Sequence, residues 1–415
     1  MIINSMQYSG ACTCGRNHEL ETKVAIVEAG CLGKADAYFK EYNIQGIRVA
    51  IYDKNTYAAT ETVHVPAEYE VILDPDGLHA NEKGVDALFG QLPNDAEVLI
   101  AVGSGTIHDI TRYCAYLKKI TFVSCPTAAS VDGFCSSVAA MTWEGAKKTL
   151  TAVAPVMVLA DLNIISKAPI RLARSGFGDM IGKYTALADW RIAHALTDEF
   201  YCDRIANIMT EATQAVMNSS KGIAAGEEHA YETLTYGLLL SGIAMQMMGN
   251  SRPASGSEHH ISHFIEMAPD GLGIHSDALH GEKVGVGTIL AAAEYHRLAS
   301  LPDECWQNYS ELNREEVETI FGSRLAQQIM DENTADCAFG INSDRIRNSL
   351  NTIKKEVATI PDASELLEAY HQVGALTELS DIQVSEHVLP AILDCSPMVR
   401  NRLTLMRLRR SILPK

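Results

Sequence analysis

The first part of the chain sets short apolar runs between longer segments of mixed character. Residues 23–29, 47–52, 69–73, 97–102, 120–124 and 156–159 read as strands, and residues 33–42, 81–92 and 106–117 as helices. Apolar runs too continuous for one wet face, separated by helices, predict a parallel sheet covered on both sides. From about residue 166 the strand signals almost vanish. Segments with a 3.6-residue period, such as 203–217 and 365–379, take over. The expectation is an α/β, Rossmann-like domain over residues 1–166 and an all-α domain over residues 167–415. The basic and apolar tail, 400–410, reads as a helix packed on the surface.

Composition narrows the function. Apolar residues make up 47% and charged residues 21% of the 415 positions, an ordinary globular balance. The formal charge of -18 repels polyanions, so nucleic acid and anionic membrane surfaces are excluded as partners. A small phosphorylated substrate stays open, because a pocket can be basic on an acidic protein. The most apolar stretch, 234–248, is shorter than the roughly 20 residues a membrane span needs, and reads as a buried helix. Ten cysteines without a secretory signal read as reduced thiols in a cytoplasmic protein.

Two places carry candidate chemistry for a cofactor and a metal. Gly103-Ser104-Gly105-Thr106 lies between a strand and a helix, where glycines and a helix N-terminus suit a pyrophosphate. A plain tight turn would look the same, since the full dinucleotide fingerprint is absent. Asp53, just past a strand, could accept from a ribose hydroxyl and so favour NAD over NADP, and reads equally as a solvated loop carboxylate. The second place is Arg252-Pro253-Ala254-Ser255-Gly256-Ser257-Glu258-His259-His260-Ile261-Ser262-His263. His259 and His263 share a helix face, and His260 could replace His259 as a ligand. His280-Gly281-Glu282 follows, and Gly176-Phe177-Gly178-Asp179 precedes it. Imidazoles and a carboxylate with an open position make a catalytic divalent-metal site. At the N-terminus, Cys12, Cys14 and His18 read as a surface hairpin. The same spacing would suit a small structural zinc, although no fourth ligand is visible in the sequence.

With these residues in view, the chain resembles the glycerol-1-phosphate dehydrogenases. They sit in the wider group of dehydroquinate synthases, glycerol dehydrogenases and iron-type alcohol dehydrogenases. The resemblance runs through AVGSGTIHDITR (101–112), CPTAASVDGF (125–134), SGFGDMIGKYTALADW (175–190), SRPASGSEHHISH (251–263) and LHGEKVGVG (279–287). It implies a dehydroquinate synthase-like fold, with Asp179, His259 and His280 as ligands of Zn²⁺ or Ni²⁺. It implies cofactor contacts for NAD or NADP at Asp53, Gly103, Ser104, Gly105, Thr106, Ile107, Thr127, Ser130 and Ser136. Asp132 and His263 are implied on the substrate side, with Asp179. Cys135 stands where a threonine is expected. A homodimer is the default assembly.

The expected reaction is the reversible reduction of dihydroxyacetone phosphate to sn-glycerol 1-phosphate by NAD(P)H, with the metal as Lewis acid and His263 as proton relay. Lys183, one turn beyond Asp179, and Arg252 are the candidate phosphate partners, each equally readable as a salt-bridge residue. Three rival readings remain. A dehydroquinate synthase-like cyclase would place glutamate where Asp179 stands. A dehydrogenase of unphosphorylated polyols would gain nothing from phosphate. A non-catalytic nucleotide- and metal-binding protein would bind NADH without turning it over.

Overall fold

The computed structural model describes residues 1–144 and 146–412. The chain divides into two units, the first formed by Met1–Met180 and Gln214–Asn250, the second by Ile181–Thr213 and Ser251–Lys415. The division differs from the boundary expected near residue 166. That boundary marks where strands end, the last being Met157–Asp161. The helix Glu228–Met248 nevertheless belongs to the first unit, because its Gln246 Nε2 donates to the carbonyl of Cys135 at 2.5 Å and to Thr22 Oγ1 at 2.8 Å. No helix among the described residues is long and apolar enough to cross a membrane.

The first unit is built on a 7-stranded sheet. Its order is Ile2–Asn4, Val24–Glu28, Met157–Asp161, Thr121–Pro126, Val98–Gly103, Arg48–Asp53 and Tyr69–Leu73. The first of these pairs antiparallel with Val24–Glu28, and every other pairing is parallel. Alternate residues of each strand feed opposite layers. Ile100 and Val102 pack with Phe39 and Leu32 on one face, while Leu99 and Ala101 pack with Val85, Leu88 and Ile110 on the other. Both faces are therefore dry, and the strands can be apolar throughout. A hairpin of Val138–Trp143 and Ala146–Thr151, absent from the sequence reading, follows the strand Thr121–Pro126.

The connections reverse direction between two neighbouring strands. Arg48–Asp53 leads through the helix Lys54–Ala59 to the sheet edge at Tyr69–Leu73. Its neighbour Val98–Gly103 leads through the helix Gly105–Lys118 to the opposite side, at Thr121–Pro126. The carboxyl ends of the two strands thus part company, opening the crevice where doubly wound sheets bind ligands.

Arg112 fixes what surrounds that crevice. It is fully buried, and its guanidinium donates to the carbonyls of Gly133 (2.7 Å), Phe134 (3.1 Å), Ser136 (2.6 Å) and Val138 (3.0 Å). The preceding residues are held from another side. A Cβ on Gly176 would lie 2.1 Å from the carbonyl oxygen of Ala129, so only glycine lets the helix Ile170–Ile181 lie this close. Ser175 Oγ donates to the Ser130 carbonyl at 3.1 Å.

The second unit is helical, with Lys183–Thr197, Ser257–Met267, His280–Ala299, Ser343–Val357 and Ala363–Val373 among its helices. The last stops at Val373, short of the expected residue 379, because Gly374 caps it. The tail is not a surface helix. Leu403, Leu405, Met406, Arg407 and Leu408 are buried, and only the short turn Arg407–Ser411 is helical. Arg407 tolerates burial because Asn333 Oδ1 (2.7 Å), Asp336 Oδ1 (2.9 Å) and the Pro397 carbonyl (2.9 Å) accept from it.

Replacing Arg112 by methionine leaves four carbonyls facing an apolar chain. Arg112→Met is expected to lower the unfolding free energy by about 3 kcal/mol. The loss should appear as a lower denaturant midpoint with an unchanged slope. A change under about 1 kcal/mol would show that other bonds suffice to hold the loop.

Candidate functional site

The candidate cofactor residues gather at the crevice of the first unit. Asp53 ends its strand and caps the next helix, Oδ1 accepting from the Thr56 N–H at 2.8 Å. A carboxylate has acceptor capacity beyond one such bond. Gly103 ends the neighbouring strand, and a Cβ there would meet Ile107 at 2.7 Å. Ser104 caps the helix Gly105–Lys118 without a side-chain hydrogen bond. The first N–H groups of that helix are those that lack partners within it. Thr127 donates its N–H to the Gly103 carbonyl at 3.0 Å. Ser130 is buried, with an Oγ that finds no hydrogen-bond partner among the described residues. Ser136 presents its carbonyl to Arg112 and its Oγ to the N–H of Val138.

His108, four residues before Arg112, is a support that sequence reasoning passed over. Nδ1–H donates to the Ser104 carbonyl at 2.9 Å, and Nε2 lies 2.8 Å from Ser124 Oγ. Burial first, then the charge of Arg112, pushes its pKa down to about 3, so the ring is neutral. The glycine turn is thus held from below by an uncharged imidazole. On the same unit Asp132 and Asp179 are joined: the Asp132 N–H donates to Asp179 Oδ2 at 3.0 Å, and Ser241 Oγ donates to Asp132 Oδ2 at 2.7 Å.

The second unit brings three imidazoles together. Ring centroids stand 5.4 Å apart for His259 and His280, 6.1 Å for His259 and His263, and 5.7 Å for His263 and His280. His259 Nδ1–H donates to Glu258 Oε1 at 2.7 Å, and Glu258 also accepts from the Gly256 N–H (2.7 Å) and Thr185 Oγ1 (2.5 Å). Burial works to raise the pKa of Glu258, but its bond to His259 prevails and holds it below the usual range. His280 Nδ1 lies 3.0 Å from Glu266 Oε1. Burial opposes ionisation there too, and His280 and Lys283 overcome it. His259 and His280, each tied to a carboxylate through Nδ1, keep Nε2 as a lone-pair donor, the arrangement that orients metal-binding histidines. The signal was present in the sequence, since Glu258 is adjacent to His259.

His263, Glu266 and His280 also group within 4.8 Å, the Glu266 and His280 members being hydrogen-bonded to each other. His260 is buried, its ring nitrogens without hydrogen-bond partners, and it makes no ring contact with the other three. Lys183 is buried at the start of its own helix, which Gly182 separates from the helix ending at Ile181, so it does not share a helix with Asp179. Arg252 is engaged in the salt-bridge role: Nε lies 2.8 Å from Glu199 Oε1, and Nη2 donates to Glu199 Oε2 (2.9 Å) and the Leu403 carbonyl (2.8 Å). A cation that sequence reasoning missed is Arg400, whose charge helps to keep the pKa of His263 low after burial has lowered it.

Asp189 underlies the histidine helix. Its Oδ2 accepts from the N–H (2.9 Å) and Oγ (3.0 Å) of Ser257, and its Oδ1 from Tyr295 Oη (2.7 Å) and the Leu405 N–H (2.7 Å). The tail thereby reaches the base of the site.

The fold defined by these two units is that of the iron-containing alcohol dehydrogenases, whose family model matches residues 26–169. A probable glycerol dehydrogenase from Sinorhizobium meliloti superposes with a TM-score of 0.63 over 94% of this chain and 95% of its own, at 17% identity. A sulfoacetaldehyde reductase from Bifidobacterium kashiwanohense, solved with NAD+, gives 0.61 over 94% and 96%, at 13% identity. Sequence relatives narrow the class. The glycerol-1-phosphate dehydrogenase of Bacillus licheniformis is 40% identical over 309 residues, 71% of this chain and 76% of that protein. The one from Halalkalibacterium halodurans is 30% identical over 417 aligned residues, 98% of this chain and 97% of its own. The chain belongs to the NAD(P)+ glycerol-1-phosphate dehydrogenase family and is an oxidoreductase.

Asp189 gives the stability a distinctive pH dependence. Burial raises its pKa from 3.8 to about 6, against the pull of its Tyr295 and Leu405 bonds. A raised acid favours the folded chain fully below about pH 4, and that contribution is lost as pH climbs through about 6. Relative to Asp189→Asn, the wild type should therefore lose about 3 kcal/mol across this window, measured by denaturant unfolding. A difference that does not vary with pH would show Asp189 ionised throughout.

Proposed function

We propose that this chain catalyses the reaction of dihydroxyacetone phosphate, NAD(P)H and a proton to give sn-glycerol 1-phosphate and NAD(P)+, reversibly. The observation that carries the reading is the His259 and His280 pair, each tied to a carboxylate through Nδ1, in a chain related along almost its whole length to that family.

Asp179, His259 and His280 would hold a divalent ion, Zn²⁺ or Ni²⁺. The donor set fits: two imidazoles with Nε2 left for coordination, and a buried carboxylate, make three protein ligands with places left open. Such an ion, when bound, supplies Lewis-acid polarisation of a carbonyl. The nicotinamide cofactor is held by the amides of Gly103 to Ile107 and by Thr127, Ser130 and Ser136. The buried Ser130 Oγ is a donor still to be satisfied. Asp53 would take a ribose hydroxyl, which favours NAD.

Asp132, fixed by Ser241, and His263 face the substrate in this reading. Burial keeps His263 neutral, so it can accept a proton at one ring nitrogen and release one from the other, linking the substrate oxygen to solvent. The substrate phosphate meets Lys183 and Arg400. Arg252 is left out, because its charge is already paired with Glu199.

The test strips the protein with chelator, reloads it with Zn²⁺ or Ni²⁺, and follows nicotinamide absorbance with dihydroxyacetone phosphate. Metal-dependent oxidation is expected, with kcat/KM for unphosphorylated dihydroxyacetone lower by at least roughly 100-fold. No oxidation with either metal and either nicotinamide overturns the reading. His263→Ala should lower kcat by about 10²–10⁴ and leave metal content unchanged. Loss of metal in that variant would make His263 a ligand instead.

A further inference from the structure

The N-terminal hairpin has chemistry that the dehydrogenase reaction does not use. The strands Gly10–Ala11 and Asn17–His18 pair antiparallel, joined by a turn in which the Gly15 N–H donates to the Cys12 carbonyl and the Cys12 N–H to that of Arg16. The turn brings Cys12, Cys14 and His18 to one place, their donor atoms within 4.8 Å of one another. Cys14 Sγ lies 3.5 Å from His18 Nε2. Zinc binds thiolate sulfur at about 2.3 Å and imidazole nitrogen at about 2.0–2.1 Å, so two such ligands on one tetrahedral ion stand about 3.5 Å apart.

The histidine is also oriented as a ligand. His18 is buried, and its Nδ1–H donates to the carbonyl of Met247 at 2.8 Å. That bond fixes the tautomer and leaves the Nε2 lone pair turned to the thiols, as outer partners of zinc-binding histidines do. Both cysteines are half-buried and free of disulfides.

We propose that Cys12, Cys14 and His18 bind one structural Zn²⁺, the fourth place being filled by a further donor. The ion clips the hairpin onto the end of the helix Glu228–Met248 through His18. The same helix end carries Gln246, which accepts from the N–H groups of Glu21 and Thr22 and donates to the Cys135 carbonyl, so the clip steadies the segment next to Asp132. The site is separate from the one read as catalytic, which contains no thiolate, and either can fail without the other.

Cobalt distinguishes them in the full-length protein. Chelator-stripped, reduced wild type titrated with Co²⁺ should develop a thiolate-to-cobalt charge-transfer band whose final intensity corresponds to one thiolate-bound cobalt per chain. The band should vanish in Cys14→Ser and His18→Ala, return in His18→Cys, and persist in His259→Ala. Zinc content should follow the same pattern, one equivalent lower in the first two variants. Serine scanning of the remaining cysteines identifies the fourth donor if it is a thiolate, through a weaker band at unchanged stoichiometry. Absence of the band in wild type at saturating cobalt overturns the proposal, as does a band that survives Cys14→Ser. If Cys14→Ser fails to fold, the wild-type titration still decides, because mercurial modification of the thiols must release that one equivalent of zinc.

Discussion

A single buried guanidinium organises the loop on which the first unit's chemistry rests. Arg112 spends its donors on four backbone carbonyls between Gly133 and Val138, where no helix or sheet would satisfy them. Burial lowers its pKa, yet an arginine keeps its charge, and charged donors make the stronger bonds. Asp132 and Ser136 owe their positions to this arrangement. His108, one turn earlier on the same helix, holds the Ser104 carbonyl, so one helix face supports both the glycine turn and the loop opposite it. A lysine could not replace Arg112, because an ammonium has three donors and no planar fork.

The second unit solves a different problem, the burial of several ionised groups beneath the histidines. Glu258 and Glu266 are stabilised by imidazoles, and Asp189 by four donors. Arginines oppose them: Arg252 pairs with Glu199, and Arg402 donates to the Ser255 carbonyl and Ser251 Oγ. Burial, with the neighbouring arginines, lowers Arg402 to about 9. A protein of formal charge -18 thus sets arginines beside its buried carboxylates. Long-range repulsion of anions at its surface and local attraction within the site coexist, since buried charges are little screened.

Much of this was legible in the sequence, for reasons that differ by element. The parallel strands announced themselves because both faces of each are buried, which leaves no room for polar alternation. The glycine turn and the histidine cluster were legible because close approach and metal chemistry need particular residue types. Packing between distant segments was not. The helix Glu228–Met248 looks helical from its sequence, but nothing local says that it belongs with the strands. Arg252 beside histidines reads equally as a phosphate partner and as a salt-bridge residue, and only Glu199, far off in sequence, decides for the second. The tail alternates arginine with apolar residues as a surface helix would, and only Asn333 and Asp336 reveal that Arg407 is interior.

The burial of that tail has a consequence for biosynthesis. Leu405 supplies one of the four donors to Asp189, and Arg402 braces the residues before the histidine helix. These residues come far later in the chain than Asn250, where the first unit ends. The first unit can complete its sheet before they are synthesised, whereas the foundation of the histidine cluster has to wait for them. A nascent chain that has not yet reached Leu405 would therefore possess its nucleotide crevice but lack a settled place for the imidazoles, which makes synthesis of this segment the checkpoint for maturation.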